Sequence, residues 1–162
     1  MFTEKRRNIG LLLLLVILAM ASVALAYVYF EGQNTNTVSF ITPAGNYTIN
    51  VRTATTEQEW EQGLMNVSDL APDAGMLFVF PDEYNYSFWM HNTPIPLDQV
   101  FIDSNLTITA INADARPEND SVFTAYGQYV VEVNGNYCVE HGIIAGDKVL
   151  IKPPVSSNLK KV

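Results

Sequence analysis

The sequence predicts a mainly β fold behind an N-terminal transmembrane helix. The exported part is expected to form an antiparallel β-sandwich or a partly closed barrel of roughly six to eight strands with one main α-helix. Short apolar segments, alternating or unbroken, recur along the chain between turns that contain glycine and proline. At 162 residues the chain is long enough for one domain with its own hydrophobic core.

The N-terminal segment has the features of a membrane anchor. Residues 9–30 carry no charged side chain, and 22 residues in a helix span about 33 Å, enough to cross a bilayer. The basic stub at residues 1–8 places the N-terminus in the cytoplasm and the remaining chain outside it. The sequence SVALA ends at Ala26, so cleavage there is the alternative and would yield a secreted protein.

The exported β domain is expected at residues 38–152, between a polar linker (31–37) and a flexible tail (153–162). VSFI and YTINVRTA flank a turn and predict a hairpin, and MLFVF predicts a strand buried on both faces. Thr56 and Glu59 form the capping box of the main helix. LDQVFID, LTITAIN, YVVEVN and KVLI predict further strands, and NGNYCVEHG predicts a hairpin or a short helix.

Charge and composition limit the classes of partner. From residue 32 onward there are 15 acidic and 6 basic residues, a net charge of −9, which disfavours nucleic acid as a partner. The single cysteine, Cys138, excludes an internal disulfide bond. Five acceptor patterns make the chain a candidate glycoprotein and favour an extracytoplasmic location; they begin at Asn46, Asn66, Asn85, Asn105 and Asn119.

Five motifs occur in a recognisable order: GLM, GMLFVF, FWMHNTPIPLDQVFID, YVVEVNG and GIIAGDKV. Together they resemble the uncharacterised family called domain of unknown function 192, over roughly residues 38–152. The resemblance implies a compact, mainly β fold, often carried behind a signal or membrane anchor, and brings no established activity. The family usually has a lysine where this chain has His91, and Cys138 and His141 lie outside its motifs.

Two carboxylates stand in apolar strands. Asp98 lies between Leu97 and Val100, and Glu132 lies within VVEVN, so each must be hydrogen-bonded, be paired or have a raised pKa. If both face one cleft, they could act as general acid and base in a hydrolase-type enzyme. In the structural alternative, Asp98 accepts N–H groups from the loop NTPIP, and Glu132 pairs with an arginine, Arg116 or Arg52.

The leading hypothesis is a binding or accessory module for a small ligand or a partner protein. Two prolines make the segment after Trp89 a rigid loop, and Trp89 and Met90 should point to opposite sides of it. Aromatic residues cluster around this region and could receive a ligand. The predicted binding residues are Trp89, Met90, His91, Asn92, Thr93, Asp98, Glu132 and Asp147.

A copper site is the second alternative. The chain's only two histidines, His91 and His141, and its only cysteine, Cys138, occur in an order similar to that of blue copper proteins. The axial ligand would then be a methionine: Met65, Met76 or Met90. The competing interpretation makes Cys138 a buried small hydrophobe and His141 an exposed residue at a helix end. No cofactor is required by any of the motifs.

Overall fold

The computed structural model describes residues 36–153, together with Ile17 and Met20, which are helical. The rest of the predicted membrane segment, most of the linker and nearly all of the tail lie outside the described residues. Within the part that is described, no helix is long and apolar enough to cross a membrane. Residues 1–35 and 36–162 form two separate units.

The described part of the second unit, residues 36–153, contains seven strands and two short helices. The strands are β1 (Asn36–Thr42), β2 (Gly45–Ala54), β3 (Ala74–Phe88), β4 (Leu97–Ile102), β5 (Ile108–Ala115), β6 (Phe123–Asn134) and β7 (Lys148–Lys152). The helices are α1 (Glu57–Gln62), between β2 and β3, and α2 (Tyr137–Glu140), between β6 and β7. The predicted mainly β fold with one helix after the first hairpin is confirmed.

All seven strands belong to one sheet, in the order β5-β4-β6-β3-β2-β1-β7. Neighbouring strands are antiparallel except β2 and β3, which run parallel. The expectation of a wholly antiparallel sheet is therefore wrong at this pair. The reason is the connection: residues 55–73, which contain α1, are long enough for the crossover that a parallel pair needs.

The two edges of the sheet meet at one end. Thr107, just before β5, pairs with Lys148 in an isolated bridge, and the Ile108 N–H donates to the Asp147 carbonyl at 2.9 Å. The Val149 N–H donates to the Leu106 carbonyl, also at 2.9 Å. The sheet thus curls into a partly closed barrel, which is the second of the two predicted architectures.

Two hydrophobic clusters cover the two faces of the sheet. The inner cluster draws on all seven strands, so it lies on the concave side; it includes Val38, Phe40, Ile49, Leu77, Val100, Ile108, Val131 and Val149, with Tyr137 and Cys138 from α2. The outer cluster lies on the convex side and includes Ala54, Met76, Phe78, Phe80, Met90, Phe101 and Val130, with Leu64 and Trp60 packed on it. Residues 75–80 of β3 are buried throughout, as the unbroken apolar run predicts.

The sequence features that predicted the beginning of α1 and the segment around α2 are present in the structure. The Thr56 hydroxyl accepts the Glu59 N–H at 3.3 Å, and the Glu59 carboxylate accepts the Thr56 N–H at 3.0 Å, which completes the predicted capping box. The segment NGNYCVEHG forms the short helix α2 rather than a hairpin, and Gly142 follows it with φ of +63°. A positive φ is the usual reason for glycine after a helix.

Candidate functional site

The loop between β3 and β4 is fixed by backbone hydrogen bonds to two neighbouring segments. The Met90 N–H donates to the Asn119 carbonyl at 2.9 Å, and the Asn92 carbonyl accepts the Asn66 N–H at 2.8 Å. Asn92 has φ of +51°, a conformation that asparagine tolerates better than most residues. The loop is therefore a structural corner that binds the chain before β3 to the chain before β6.

Trp89 and Met90 point to opposite sides of this loop, as predicted. Met90 is buried in the outer cluster, whereas Trp89 is 50% exposed and its ring stacks on His91, with ring centroids 5.0 Å apart. Thr93 is buried, and its hydroxyl donates to the His91 carbonyl at 3.2 Å. The exposed face of the loop is thus a platform formed by Trp89 and His91.

Glu132 lies beneath this loop in a row of polar side chains, of which Gln99 and Glu132 are buried and Asn112 is partly buried. Gln99 on β4 is directly opposite Glu132 on β6, and the Gln99 amide donates to Glu132 Oε1 at 3.1 Å. The same amide also contacts the Met90 sulfur at 3.7 Å. The Asn112 side-chain amide donates to the side-chain oxygen Oε1 of Gln99 at 2.8 Å. The Asn112–Gln99–Glu132 row thus delivers one fixed N–H to the glutamate.

Burial changes the acidity of Glu132. Its side chain is 4% exposed, and removal of the carboxyl from water raises its pKa from 4.5 to about 7, while the Gln99 hydrogen bond opposes that rise. The predicted arginine partner is wrong, because Gln99 occupies that position. A carboxyl with a pKa near neutrality can exchange a proton under ordinary conditions.

A cleft opens over Glu132 between α1 and the β3–β4 loop. Its main part has a volume of about 730 Å³ and has aromatic walls, formed by Trp60, Phe80, Tyr86, Phe88 and Trp89. A smaller recess of about 30 Å³ continues from it and reaches Glu132. Seven residues line both spaces: Trp60, Glu61, Gln62, Met65, Phe88, Trp89 and His91. Glu132 thus forms the base of a cleft that is lined by five aromatic rings and by polar side chains, among them Gln58, Glu61 and Gln62.

Gly63 keeps the recess open. It has φ of +45°, and a Cβ atom at this position would lie 3.3 Å from the Phe78 ring and 3.9 Å from Glu132 Oε2. Among the described residues, no side chain or backbone group bonds Oε2. The second carboxyl oxygen therefore faces an open space that a larger residue at position 63 would narrow.

Asp98 lies on the other face of the sheet, which corrects the predicted pairing with Glu132. Asp98 is opposite Val133, one step along the strand from the Gln99–Glu132 pair, so the two carboxylates point to opposite faces. Asp98 is fully buried, and its carboxylate accepts backbone N–H groups from Asp114 (2.7 Å), Asn136 (3.1 Å) and Cys138 (2.7 Å). It is hydrogen-bonded as the structural alternative expects, but its donors come from β5 and α2 instead of NTPIP.

The predicted copper site is not assembled. The described part of the chain contains no group of three or more histidine, cysteine, aspartate or glutamate side chains that could hold a metal ion. Cys138 belongs to the inner cluster, while His91 lines the cleft over the outer one. His141 stacks on Tyr137 with ring centroids 4.2 Å apart, and its Nδ1 lies 2.8 Å from the Tyr137 carbonyl oxygen.

Two further predicted residues have different roles. Asp147 accepts the Ile144 N–H at 2.9 Å and closes the turn before β7. It is not one of the residues that line the cleft or the recess. Asn92 is exposed and lines the mouth of the cleft. Of the eight predicted binding residues, the cleft and its recess bring together Trp89, His91, Asn92, Thr93 and Glu132, with Met90 directly behind them.

Gln99, Asn112, Gly63 and Trp60 are site residues that the sequence reasoning missed. Gln99 directly follows Asp98, and a second polar residue in so apolar a strand is a usable signal for a polar group on the opposite face. Gly63 belongs to the GLM motif, but no local pattern shows that it faces Glu132. The packing of the end of α1 beside Phe78 and Glu132 supplies that information.

The fold and the cleft define a small, partly closed β-barrel protein with a ligand-sized cleft on its convex side. The model of the family DUF192, "Uncharacterized ACR", matches residues 40–151, and the chain belongs to this family. The predicted resemblance is confirmed. No curated protein matches the chain.

The solved structures that are similar to this one include the following two. A candidate transcription regulator from Sinorhizobium meliloti 1021 is 34% identical, with a TM-score of 0.70 over 72% of this chain and 93% of that one. A protein of unknown function from Novosphingobium aromaticivorans DSM 12444 is 32% identical, with a TM-score of 0.69 over 70% of this chain and 83% of that one. Both share the fold, and neither name specifies a ligand.

Proposed function

We propose that the protein is a binding module that holds a small ligand in the cleft between α1 and the β3–β4 loop. The observation that carries the proposal is Glu132, a buried carboxyl whose Oε2 faces an open recess at the base of an aromatic cleft. Binding sites for small molecules are typically concave, mainly apolar, and supplied with a few placed polar groups. The volume of about 730 Å³ lies within the usual range for such sites.

The walls of the cleft suit recognition of a ring or a chain with an apolar body. Phe80 and Tyr86 stack with ring centroids 3.7 Å apart, and Trp60 packs beside Phe80 at 4.9 Å. Trp89 and His91 form the opposite edge. Aromatic side chains in such an arrangement offer large contact areas at a low cost in conformational entropy.

The strand register favours the hypothesis of a ligand-binding module over that of a hydrolase-type enzyme. The acid–base mechanism needed Asp98 and Glu132 in one cleft, whereas they point to opposite faces of β4 and β6. A regulator role, the class given for the S. meliloti protein, finds little support here, since a net charge of −9 from residue 32 onward is unfavourable for binding DNA.

We further propose that the domain is held outside the cytoplasm by residues 9–30. The uncharged run after Lys5, Arg6 and Arg7 supports this location. Four of the five acceptor asparagines are exposed on the domain, namely Asn46, Asn66, Asn85 and Asn105. Protease treatment of intact cells should remove the domain from a membrane-bound chain; a fully protected domain would contradict this topology.

The test of binding uses the chain's own fluorescence. The sequence contains two tryptophans, and both Trp60 and Trp89 line the cleft. A set of small amines, acids, alcohols and sugars should contain members that change the tryptophan emission of the 162-residue protein in non-ionic detergent. Trp89→Ala should weaken such binding, whereas Tyr84→Ala, at an exposed residue outside the cleft lining, should not. If no member changes the emission, the cleft is not a ligand site.

A further inference from the structure

The recess over Glu132 has room for one small chemical group. Its volume of about 30 Å³ is sufficient for a group the size of a water molecule and is far smaller than the cleft beside it. The main cleft beside it is more than large enough for the rest of a small ligand. A ligand would therefore place a single terminal group in the recess and its body along the aromatic walls.

The hydrogen-bond pattern decides which terminal group fits. The side-chain amide of Gln99 donates an N–H to Glu132 Oε1, and its side-chain oxygen accepts from Asn112. These two bonds hold the Gln99 side chain with its donor toward the carboxyl group. Oε2 has no partner among the described residues and faces the recess beside Gly63. When Glu132 is ionised, both of its oxygens are acceptors, and the group in the recess must be a hydrogen-bond donor.

The charges around the recess favour a cation. The titratable side chains that line it are Glu132 on β6, Glu61 on α1 and His91 on the loop. Among the described residues, no lysine or arginine lines either the recess or the cleft. His91 is already paired through Nδ1 with Asp120 at 2.8 Å. Arg116 lines a separate pocket of about 280 Å³ that also contains Met90 and Gln99. No cation among the cleft-lining residues neutralises Glu132.

The walls of the recess add a second attraction for a cation. Trp60, Phe78, Phe88 and Trp89 all line the recess. Aromatic faces attract an ammonium group through their quadrupole, most strongly where water is excluded. A carboxylate at the base and aromatic rings at the sides form a site in which an ammonium group is stabilised in two ways.

From this geometry, and resting on the proposed binding function, we infer that the ligand carries a primary ammonium group, which enters the recess between Gly63 and Phe88 and donates a hydrogen bond to Glu132 Oε2. The apolar body of the ligand then lies against Trp60 and Trp89. A primary amine is favoured over a more substituted one because the recess holds only one small group.

The inference predicts a pH dependence of affinity. An ammonium group binds the carboxylate form of Glu132, and the pKa of this carboxyl is about 7. Affinity should therefore be high above that pH and fall roughly tenfold by pH 6, where about a tenth of the carboxyl remains ionised. A neutral hydroxyl ligand lacks the charge interaction and should not show this dependence.

The experiment compares three probes of similar size on the 162-residue protein: n-butylammonium, 1-butanol and butyrate, followed by tryptophan fluorescence and calorimetry. At pH 8.5, n-butylammonium should bind at least tenfold more tightly than either other probe, and Glu132→Gln should remove that preference. His91→Gln should keep the pH dependence, which separates Glu132 from the nearby imidazole. Calorimetry in two buffers should show proton release on binding near pH 7.

Three results would overturn the inference, and they are distinguishable. Tighter binding of 1-butanol or butyrate, with Trp89→Ala still weakening it, would show that the cleft binds ligands but does not select amines. A complete lack of response to all three probes and to the wider compound set would remove the amine and the binding function together. An n-butylammonium response that survives unchanged in Glu132→Gln would place the amine elsewhere.

Discussion

Asp98 and Glu132 sit on neighbouring strands, one residue out of register, and therefore point to opposite faces of the same sheet. Gln99 is paired with Glu132, and Asp98 is paired with Val133. Asp98 is held by three backbone N–H groups on the concave side, while Glu132 has one side-chain donor and an open recess on the convex side. The first arrangement stabilises the fold, and the second leaves an oxygen available to a ligand.

Asp98→Asn should destabilise the domain by about 2–4 kcal/mol. Asparagine keeps one carbonyl oxygen but replaces the other oxygen with an NH₂ group, which cannot accept the N–H of Cys138 or of Asp114 and Asn136. At least one buried donor is then left without a partner, and the charge that strengthened the others is lost. Urea unfolding at constant pH measures the change.

Asp147→Asn is the matched control for Asp98→Asn. Like Asp98, Asp147 accepts a backbone N–H group with its carboxylate. It accepts only one, from Ile144, and this bond lies in an exposed turn. Water can replace that bond, so the loss should stay below about 1 kcal/mol. Equal stability of Asp98→Asn and the unchanged protein would contradict the structural role of Asp98.

Glu132 should make the stability of the domain depend on pH. Its folded-state pKa of about 7 lies above the ordinary value of 4.5, so between these values the folded protein binds more protons than the unfolded chain. The free energy of unfolding should thus fall as the pH rises from 4.5 through 7 and then level off. The full effect is about 3 kcal/mol for this size of shift.

Glu132→Gln isolates this effect, because glutamine is neutral at every pH and can still accept the Gln99 N–H. The variant should match the unchanged protein near pH 4.5 and exceed it in stability above pH 7.5. Glu59 and Glu83 have lowered pKa values owing to backbone hydrogen bonds, from Thr55 and Ser104 respectively, but they are present in both proteins and cancel in the comparison. Parallel stability curves from pH 5 to 8.5 would show that Glu132 is not desolvated.

Local signals were sufficient for much of the fold. The Thr56–Glu59 capping box and the unbroken run at 75–80 depend on residues adjacent in sequence, and both are present as expected. The parallel pairing of β2 and β3 could not be derived in this way, since it depends on how the 55–73 crossover packs. A buried carboxylate in a strand was recognisable from its apolar neighbours, but its face was not.

The candidate site depends even more than the fold on contacts between residues that are distant in the sequence. A shift of one residue in the β4–β6 register would exchange the faces of Asp98 and Gln99, and no pattern within either strand fixes that register. The three candidate metal ligands, His91, Cys138 and His141, resemble those of blue copper proteins only in residue type and in their order along the chain. His91 and Cys138 in fact lie with different hydrophobic clusters, on opposite sides of the sheet.

Cys138 should be almost unreactive in the folded protein. Its side chain is buried, and burial, together with the charge and a hydrogen bond of Asp98, raises the pKa of the thiol well above its ordinary value. Modification by a disulfide reagent at pH 8 should be at least about 100-fold slower than in urea, and the readout is unambiguous because the chain has one cysteine. Asp98→Asn should speed the reaction, since it removes both effects of Asp98. Rapid modification of the unchanged protein would contradict the burial.

Gly63→Ala and Gly142→Ala form a pair that separates backbone strain from closure of the recess. Both glycines have positive φ, +45° and +63°, so an alanine at either position strains the backbone; the strain is larger at Gly63, whose ψ of −132° lies outside the left-handed helical region. The surroundings differ: a Cβ at Gly63 meets the Phe78 ring at 3.3 Å and approaches Glu132 Oε2, whereas a Cβ at Gly142 has no atom within 4 Å. Gly63→Ala should therefore lose more stability in urea than Gly142→Ala, and binding is compared in conditions under which urea unfolding shows both variants to be folded.

Only Gly63→Ala should lose the response to n-butylammonium, by at least tenfold in affinity, because the added methyl group takes space in a recess of about 30 Å³. Gly142→Ala should bind the probe as the unchanged protein does. If the two variants bind equally well, the terminal group of the ligand does not enter the recess, and Glu132 is a buried carboxyl without a ligand. If both lose binding while remaining folded, the loss comes from backbone strain transmitted through the domain, and the recess is not what selects the probe.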